Sequence, residues 1–190
     1  MPDLILASQS PRRSELLHQL GLDFSVLTSD VPEVVEQAEQ AEAFVQRLAL
    51  DKARAGWQLS DQKCPVMGAD TVVVLDGMIL GKPADPADAR DMLMELSGRS
   101  HIVMTAVALV QEDKEALRLN QSTVTFREIS AQECRDYVAT GEPLDKAGAY
   151  AVQGHAAIFI KDLQGSYSGV MGLPLFETAE LLEEFNIPLF

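Results

Sequence analysis

The hexapeptide Ser8-Gln9-Ser10-Pro11-Arg12-Arg13 sets two hydroxyls and two guanidiniums beside what reads as a helix start. Ser10 ahead of Pro11 suits that start. Serine can cap free amides, and proline at the first helical position forfeits no hydrogen bond. Unpaired N–H groups, hydroxyls and adjacent guanidiniums together make an anion site of the kind that takes phosphate. The competing reading is a capped helix whose arginines are simply solvated.

Four more charged residues could do chemistry. Asp70 interrupts an apolar context, with Val66 and Met67 before it and Val72, Val73 and Val74 after. A carboxylate there must be paired, metal-bound or at a strand edge; its plainer role is to bond nearby backbone at a strand start. Lys52 shares a helical face with Leu48, so its ammonium either snorkels to solvent or ends at an anion. Glu33 alone reads as a solvated loop acid. Glu33 and Asp70 together could hold a divalent ion, because Mg²⁺ typically takes one or two carboxylates plus phosphate oxygens. Arg12, Arg13, Lys52 and Lys82 are the natural groups to neutralise phosphate charge.

These residues depend on a set of elements that local pattern predicts. Leu4 to Leu6 is short, apolar and bounded by small polar residues, as a buried strand is. A helix follows from Pro11, with Leu16, Leu17 and Leu20 as its stripe and Gly21 to close it. Phe24 to Leu27 is a second short strand. A helix from about Ala41 to Gly56 buries Phe44, Val45, Leu48, Ala49 and Ala53. Met67 to Pro83 is a hairpin turning at Asp76-Gly77. Ideal pairing sets Lys82 opposite Thr71, and a bulge at Gly81 could bring Lys82 and Asp70 onto one face. Asp85-Pro86 opens a helix ended by Ser97-Gly98, and two long strands follow over Ile102 to Val110 and Leu117 to Ile129. Ser130 and Glu133 form a capping box for a helix to Gly141. Leu144 to Gly154 is irregular, Ile158 to Ile160 is strand-like, and Gly165 to Gly172 is a loop. A last helix begins at Pro174 and uses Leu175, Ala179 and Leu182. Interspersed strands and helices make the class α/β or mixed α+β.

With 190 residues, 47% apolar and 23% charged, the expectation is one domain spanning residues 1–190. Met1-Pro2-Asp3 lacks the positive charge of a secretory leader, and no apolar run approaches membrane-spanning length. Cys64 and Cys134 stand apart, without metal-type spacing, and the three histidines form no zinc pattern. A reduced, cytoplasmic setting fits. The net charge of −14 argues against nucleic-acid polymers and anionic membranes as partners. A small anion remains suitable if the few cations are gathered around it.

The opening motif resembles that of the Maf family of nucleoside triphosphate pyrophosphatases. The resemblance recurs in order at Glu33, at Lys52 in Ala-Leu-Asp-Lys-Ala, and at Gly68-Ala69-Asp70-Thr71. It continues through Gly81-Lys82-Pro83, Ser97-Gly98, Thr105, Asp145-Lys146-Ala147-Gly148-Ala149-Tyr150 and Gln153-Gly154, from Leu4 to about Glu177. The form of the Asp145–Gly154 stretch is similar to the branch acting on dTTP and UTP. The resemblance implies an elongated mixed sheet flanked by helices with a central nucleotide-binding cleft (Maf/ITPase-like), often in a homodimer. It implies cleavage of the triphosphate to monophosphate and pyrophosphate with a divalent cation, Mg²⁺ or Mn²⁺. Asp70 becomes the general base, Glu33, Lys52 and Lys82 its catalytic companions, and Glu33 and Asp70 the metal ligands. Ser8, Ser10, Arg12, Arg13 and Lys146 bind substrate, while Arg12, Thr71 and Gln153 select the base. A glutamine amide suits that task, since it donates to a pyrimidine carbonyl and accepts from N3–H. The alternatives are another base, such as 7-methyl-GTP, or a nucleotide-binding regulator of septum formation.

Overall fold

A computed structural model describes residues 2–189. The chain folds as two compact units. The first holds the N-terminal segment through Asp70, Thr105–Asn120 and the C-terminal segment from Gly172; the second holds Thr71–Met104 and Gln121–Met171. Among the described residues, seven strands hydrogen-bond in the order β2-β1-β3-β5-β6-β7, with β4 on β3. They are β1 (Leu4–Leu6), β2 (Phe24–Val26), β3 (Val66–Leu75), β4 (Met78–Leu80), β5 (Ser100–Gln111), β6 (Lys114–Phe126) and β7 (Ile160–Gln164). The sheet is mixed: β1 runs parallel to β2 and β3, whereas β4 is antiparallel to β3 and β7 to β6. The α/β expectation holds.

In the first unit, β1 is buried along its whole length and pairs Ile5 with Val66 and Leu6 with Met67. Helix α1 (Pro11–His18) buries Leu16 and Leu17. Helix α2 (Ala41–Leu59) buries Phe44, Val45, Leu48, Ala49, Ala53 and Gly56, the predicted stripe carried one turn further. Helix α6 (Leu175–Glu184) buries Thr178, Leu181 and Leu182, so its inner face is rotated from the Leu175–Ala179–Leu182 stripe expected from sequence.

In the second unit, β3 and β4 pair Val73 with Leu80 and Leu75 with Met78 across an Asp76-Gly77 turn in which both residues have positive φ. That is the predicted hairpin, because a turn of this hand matches strand twist. Helix α3 (Pro86–Leu96) is capped by the Asp85 carboxylate, which accepts from the amides of Ala87 and Asp88. Helix α4 (Ala131–Ala139) has the predicted capping box. Three 3-10 turns follow, at Glu142–Asp145, Ala147–Ala149 and His155–Phe159. The strand expected at Ile158 to Ile160 is corrected: Ile158 and Phe159 close the third turn, and β7 begins at Ile160. The loop expected from Gly165 to Gly172 contains a short helix, α5 (Tyr167–Met171), whose entry is tied by Ser166 Oγ accepting from the Gly169 amide.

The core of the second unit joins α3, α4 and the sheet through Leu93, Leu96, Phe126, Tyr137 and Phe159. Among the described residues no helix is long and apolar enough to cross a membrane.

Candidate functional site

Strand β3 and helix α2 approach each other more closely than ordinary side chains permit. A Cβ on Gly68 would stand 2.2 Å from the Ala49 carbonyl oxygen and 2.5 Å from the Ala53 amide nitrogen. A Cβ on Gly56 would stand 2.7 Å from Val66 Cγ1. Residues Val66, Gly68 and Asp70 alternate onto one face of β3. Small residues at Ala49, Ala53 and Gly56 let that face lie against the helix backbone. The carboxylate of Asp70 is thereby delivered to the Lys52 ammonium, which it meets at 2.6 Å. Glu33, in the segment before α2, reaches the same ammonium with Oε1, also at 2.6 Å. One cation thus joins two carboxylates, one nearly buried and one open to solvent; the side chains of Asp70 and Glu33 are 9% and 42% exposed. Of the two sequence readings of Lys52, the anion-bound one holds.

Electrostatics separate the roles of these groups. Burial drives the Asp70 pKa above the ordinary carboxylate value, while Lys52 and Arg13 pull it back and Glu33 adds to the rise. A carboxyl tuned upward becomes a better proton acceptor near neutrality.

At the start of α1, Ser10 occupies the cap position, but its side chain makes no capping bond, which corrects the local expectation. Ser8 does the organising instead. Its Oγ accepts from the Ser10 amide and from Arg13 Nη1, each at 3.2 Å, and Arg13 Nε donates to the Gly172 carbonyl at 2.8 Å. The Arg13 fork is therefore held in a fixed direction. Burial lowers its pKa, and attraction to Asp70 raises it again. Arg12, half-buried, follows Pro11 in the first turn of α1.

The second unit gathers the remaining motif residues. Its β3–β4 pairing runs in the register that points Thr71 toward Lys82, but the ladder ends at Leu80 and does not itself set the face of Lys82. The Gly81 carbonyl accepts from the Gly148 amide at 3.0 Å, which ties the Gly81–Pro83 motif to the Asp145–Tyr150 motif. Gly148 has φ +67°, and a Cβ there would meet Val73 at 2.8 Å, so glycine is needed twice over. By strand alternation Thr71 shares the Val73 face. The Lys146 ammonium is held by the Glu142 carbonyl, at 2.6 Å, and by the Asp145 carboxylate. Gln153 is exposed between buried neighbours, Ala151 and Val152 before it and Ala156 after.

Sequence reasoning passed over Glu142 and Tyr137, which bond to one another at 2.8 Å beside Gln153. Nothing local marks the Glu142 carboxylate, whose other partner, His155, lies thirteen residues on. Among the described residues there is no cluster of three or more His, Cys, Asp or Glu side chains suited to a metal. The pair Glu33 and Asp70 still fits a divalent ion of the Mg²⁺ kind, because both already turn an oxygen toward one shared cation.

The chain is similar to known proteins along nearly its whole length. The chain is 54% identical to a dTTP/UTP pyrophosphatase of Alkalilimnicola ehrlichii, over 98% of this chain and 94% of that protein. It is 51% identical to a dTTP/UTP pyrophosphatase of Saccharophagus degradans, over 99% and 91% of the two chains. Among solved structures, the Staphylococcus aureus Ham1 protein aligns with a TM-score of 0.45 and 17% identity, over 67% of this chain and 72% of that one. The family described as Maf-like protein matches residues 3–185, and with relatives this similar along nearly the whole length, the chain belongs to the Maf family.

Proposed function

We propose that the protein hydrolyses dTTP and UTP to the nucleoside monophosphate and pyrophosphate. The observation that carries the chemistry is the buried Asp70 carboxyl, raised in pKa and held by Lys52 beside Glu33. The substrate class follows the names of relatives more than half identical over nearly the full length.

In this reading Asp70 accepts the proton of a water that attacks the α-phosphorus. The bond from that phosphorus to the bridging oxygen breaks, and pyrophosphate leaves with the electron pair. Arg12, Arg13, Lys52 and Lys82 neutralise the phosphate charge that builds toward the transition state. Ser8 and Ser10, with Lys146, complete substrate binding. Arg12, Thr71 and Gln153 select the base, where an unmatched hydrogen-bonding group is penalised by being left unpaired. Glu33 and Asp70 would hold a divalent cation, which supplies phosphate neutralisation and a more acidic bound water. The reading includes a cytoplasmic homodimer, acting also on modified pyrimidine nucleotides before they are incorporated.

The test is product analysis on a nucleotide panel with Mg²⁺ or Mn²⁺, with and without EDTA, for the native chain and Asp70→Asn. Pyrophosphate from dTTP and UTP is expected, abolished by EDTA. Asp70→Asn should reduce kcat about 10²- to 10⁴-fold while nucleotide binding persists. Orthophosphate as product, or undiminished turnover in Asp70→Asn, would overturn the mechanism.

A further inference from the structure

The turn that carries Gln153 is fastened by one acid. Glu142 Oε1 accepts the Tyr137 hydroxyl at 2.8 Å. Glu142 Oε2 accepts the His155 amide at 3.1 Å and His155 Nδ1 at 2.9 Å. These bonds pin the backbone two residues after Gln153 to Tyr137 near the end of α4. The carboxylate lies where a Cβ on Gly154 would be, 2.3 Å from its Oε1. Its side chain is only 17% exposed. Burial alone would raise its pKa, but the bonds from His155 and Tyr137 outweigh that and hold it below the ordinary value. It is therefore an ionised acceptor, the state that can take all these donors at once.

We infer that Glu142 is a positioning residue for base selection: braced by Tyr137 and bonded to His155 against Gly154, it fixes the turn from which Gln153 reads the base. This rests on the proposed role of Gln153. A side chain with three rotatable bonds discriminates between uracil and cytosine edges only if its Cα is fixed, because the amide can otherwise shift to satisfy either. Uracil offers N3–H and a carbonyl where cytosine offers a bare N3 and an amine, so UTP against CTP is the sensitive comparison.

The variants are Glu142→Ala, Gly154→Ala, Gln153→Ala and the double variant Glu142→Ala/Gln153→Ala. Gly154→Ala leaves Glu142 in the sequence but places a methyl where its carboxylate sits. Tyr137→Phe is a gentler fifth, since it removes one hydroxyl and keeps the ring against Phe159, centroids 5.5 Å apart. Thermal unfolding confirms that each is folded, and kcat and KM are measured for UTP and CTP.

Glu142→Ala and Gly154→Ala should each lower the UTP/CTP ratio of kcat/KM roughly tenfold, mainly through KM for UTP, with Tyr137→Phe changing it in the same direction by less. On the Gln153→Ala background, Glu142→Ala should change the ratio no further. An unchanged ratio, an equal loss for both nucleotides, or a full effect of Glu142→Ala without Gln153 would overturn the inference. If Gln153→Ala lowers the ratio and Glu142→Ala does not, the inference alone fails; if Gln153→Ala leaves it unchanged, the reading of Gln153 fails and the inference falls with it.

Discussion

The approach of β3 to α2 predicts a graded response to a single added methyl. In Gly68→Ala the new Cβ would stand 2.2 Å from the Ala49 oxygen and 2.5 Å from the Ala53 nitrogen, both backbone atoms that no rotamer change can move. Restoring ordinary contact needs a separation on the order of 1 Å between strand and helix. Overpacking typically costs about 1–3 kcal/mol, and this case belongs at the upper end. Alanine regains roughly 0.5–1 kcal/mol of backbone entropy over glycine, leaving a net loss of about 2–3 kcal/mol. In Gly56→Ala the obstacles are side-chain atoms, Val66 Cγ1 at 2.7 Å and Ala7 Cβ at 2.9 Å. An overpacking cost of about 1–3 kcal/mol, less about 1 kcal/mol that the helix gains from alanine, leaves a net loss of about 0–2 kcal/mol. Gly81→Ala meets nothing within 4 Å and has no left-handed φ to strain, and it should stabilise by about 0.4–1 kcal/mol.

Urea unfolding of the three variants should therefore rank Gly68→Ala below Gly56→Ala below Gly81→Ala. Thermal midpoints should follow at about 2–4 °C per kcal/mol for a chain of this size. The same displacement separates Asp70 from Lys52, whose contact is 2.6 Å, so Gly68→Ala should lose about 10²-fold in kcat while folded. A Gly68→Ala protein as stable as Gly56→Ala would refute the close-approach argument. One that is destabilised yet fully active would refute the claim that this approach positions the acid.

Two further outcomes follow from buried charge. Lys52→Met leaves the Asp70 carboxyl buried without its ammonium and should destabilise by about 3–5 kcal/mol, with much of the loss recovered in Lys52→Met/Asp70→Asn; a double variant no more stable than the single in urea would exclude the pair as the cause. His101 is 2% exposed, bonds the Tyr150 hydroxyl at 2.8 Å through Nε2, and is driven by burial to a pKa of about 4. The unfolded chain binds the proton first as pH falls, so this contribution is complete above about pH 6.5 and is lost toward pH 4, up to about 3 kcal/mol. His101→Phe should flatten that slope in urea titrations between pH 7 and 4.5, and an unchanged slope would assign the acid sensitivity elsewhere.

The elements that the sequence reveals are those whose signals are local. The Ser10-Pro11 helix start, the α2 stripe, the Asp76-Gly77 turn and the Ser130–Glu133 box each lie within a few residues. Those it hides depend on partners far along the chain. Ile158-Phe159-Ile160 looks like a strand because all three are apolar, yet Ile158 is exposed and Phe159 buried as the chain turns. The true strand, Ile-Lys-Asp-Leu-Gln, ends the sheet order and has no clean alternation of burial to betray it. Lys52 was ambiguous for a related reason. Periodicity can put a lysine on an inner face, but only Gly68, sixteen residues on, lets a carboxylate come to it.

Gln153 shows how structure bears on a residue that resemblance alone selected. As a glutamine in a loop it could be merely solvated, and its exposure agrees with that. Solvation, however, gives no reason for the backbone around it to be held. Here the His155 amide and ring are bonded to a Glu142 that the Tyr137 hydroxyl also holds, and glycine at 154 leaves room for the acid that does the holding. Ordering a loop costs about 1–2 kcal/mol per residue in backbone entropy. A fixed backbone under an exposed polar side chain is the arrangement that lets a short, flexible amide discriminate between two similar bases. Stability alone would be as well served by an apolar residue turned inward at the same place.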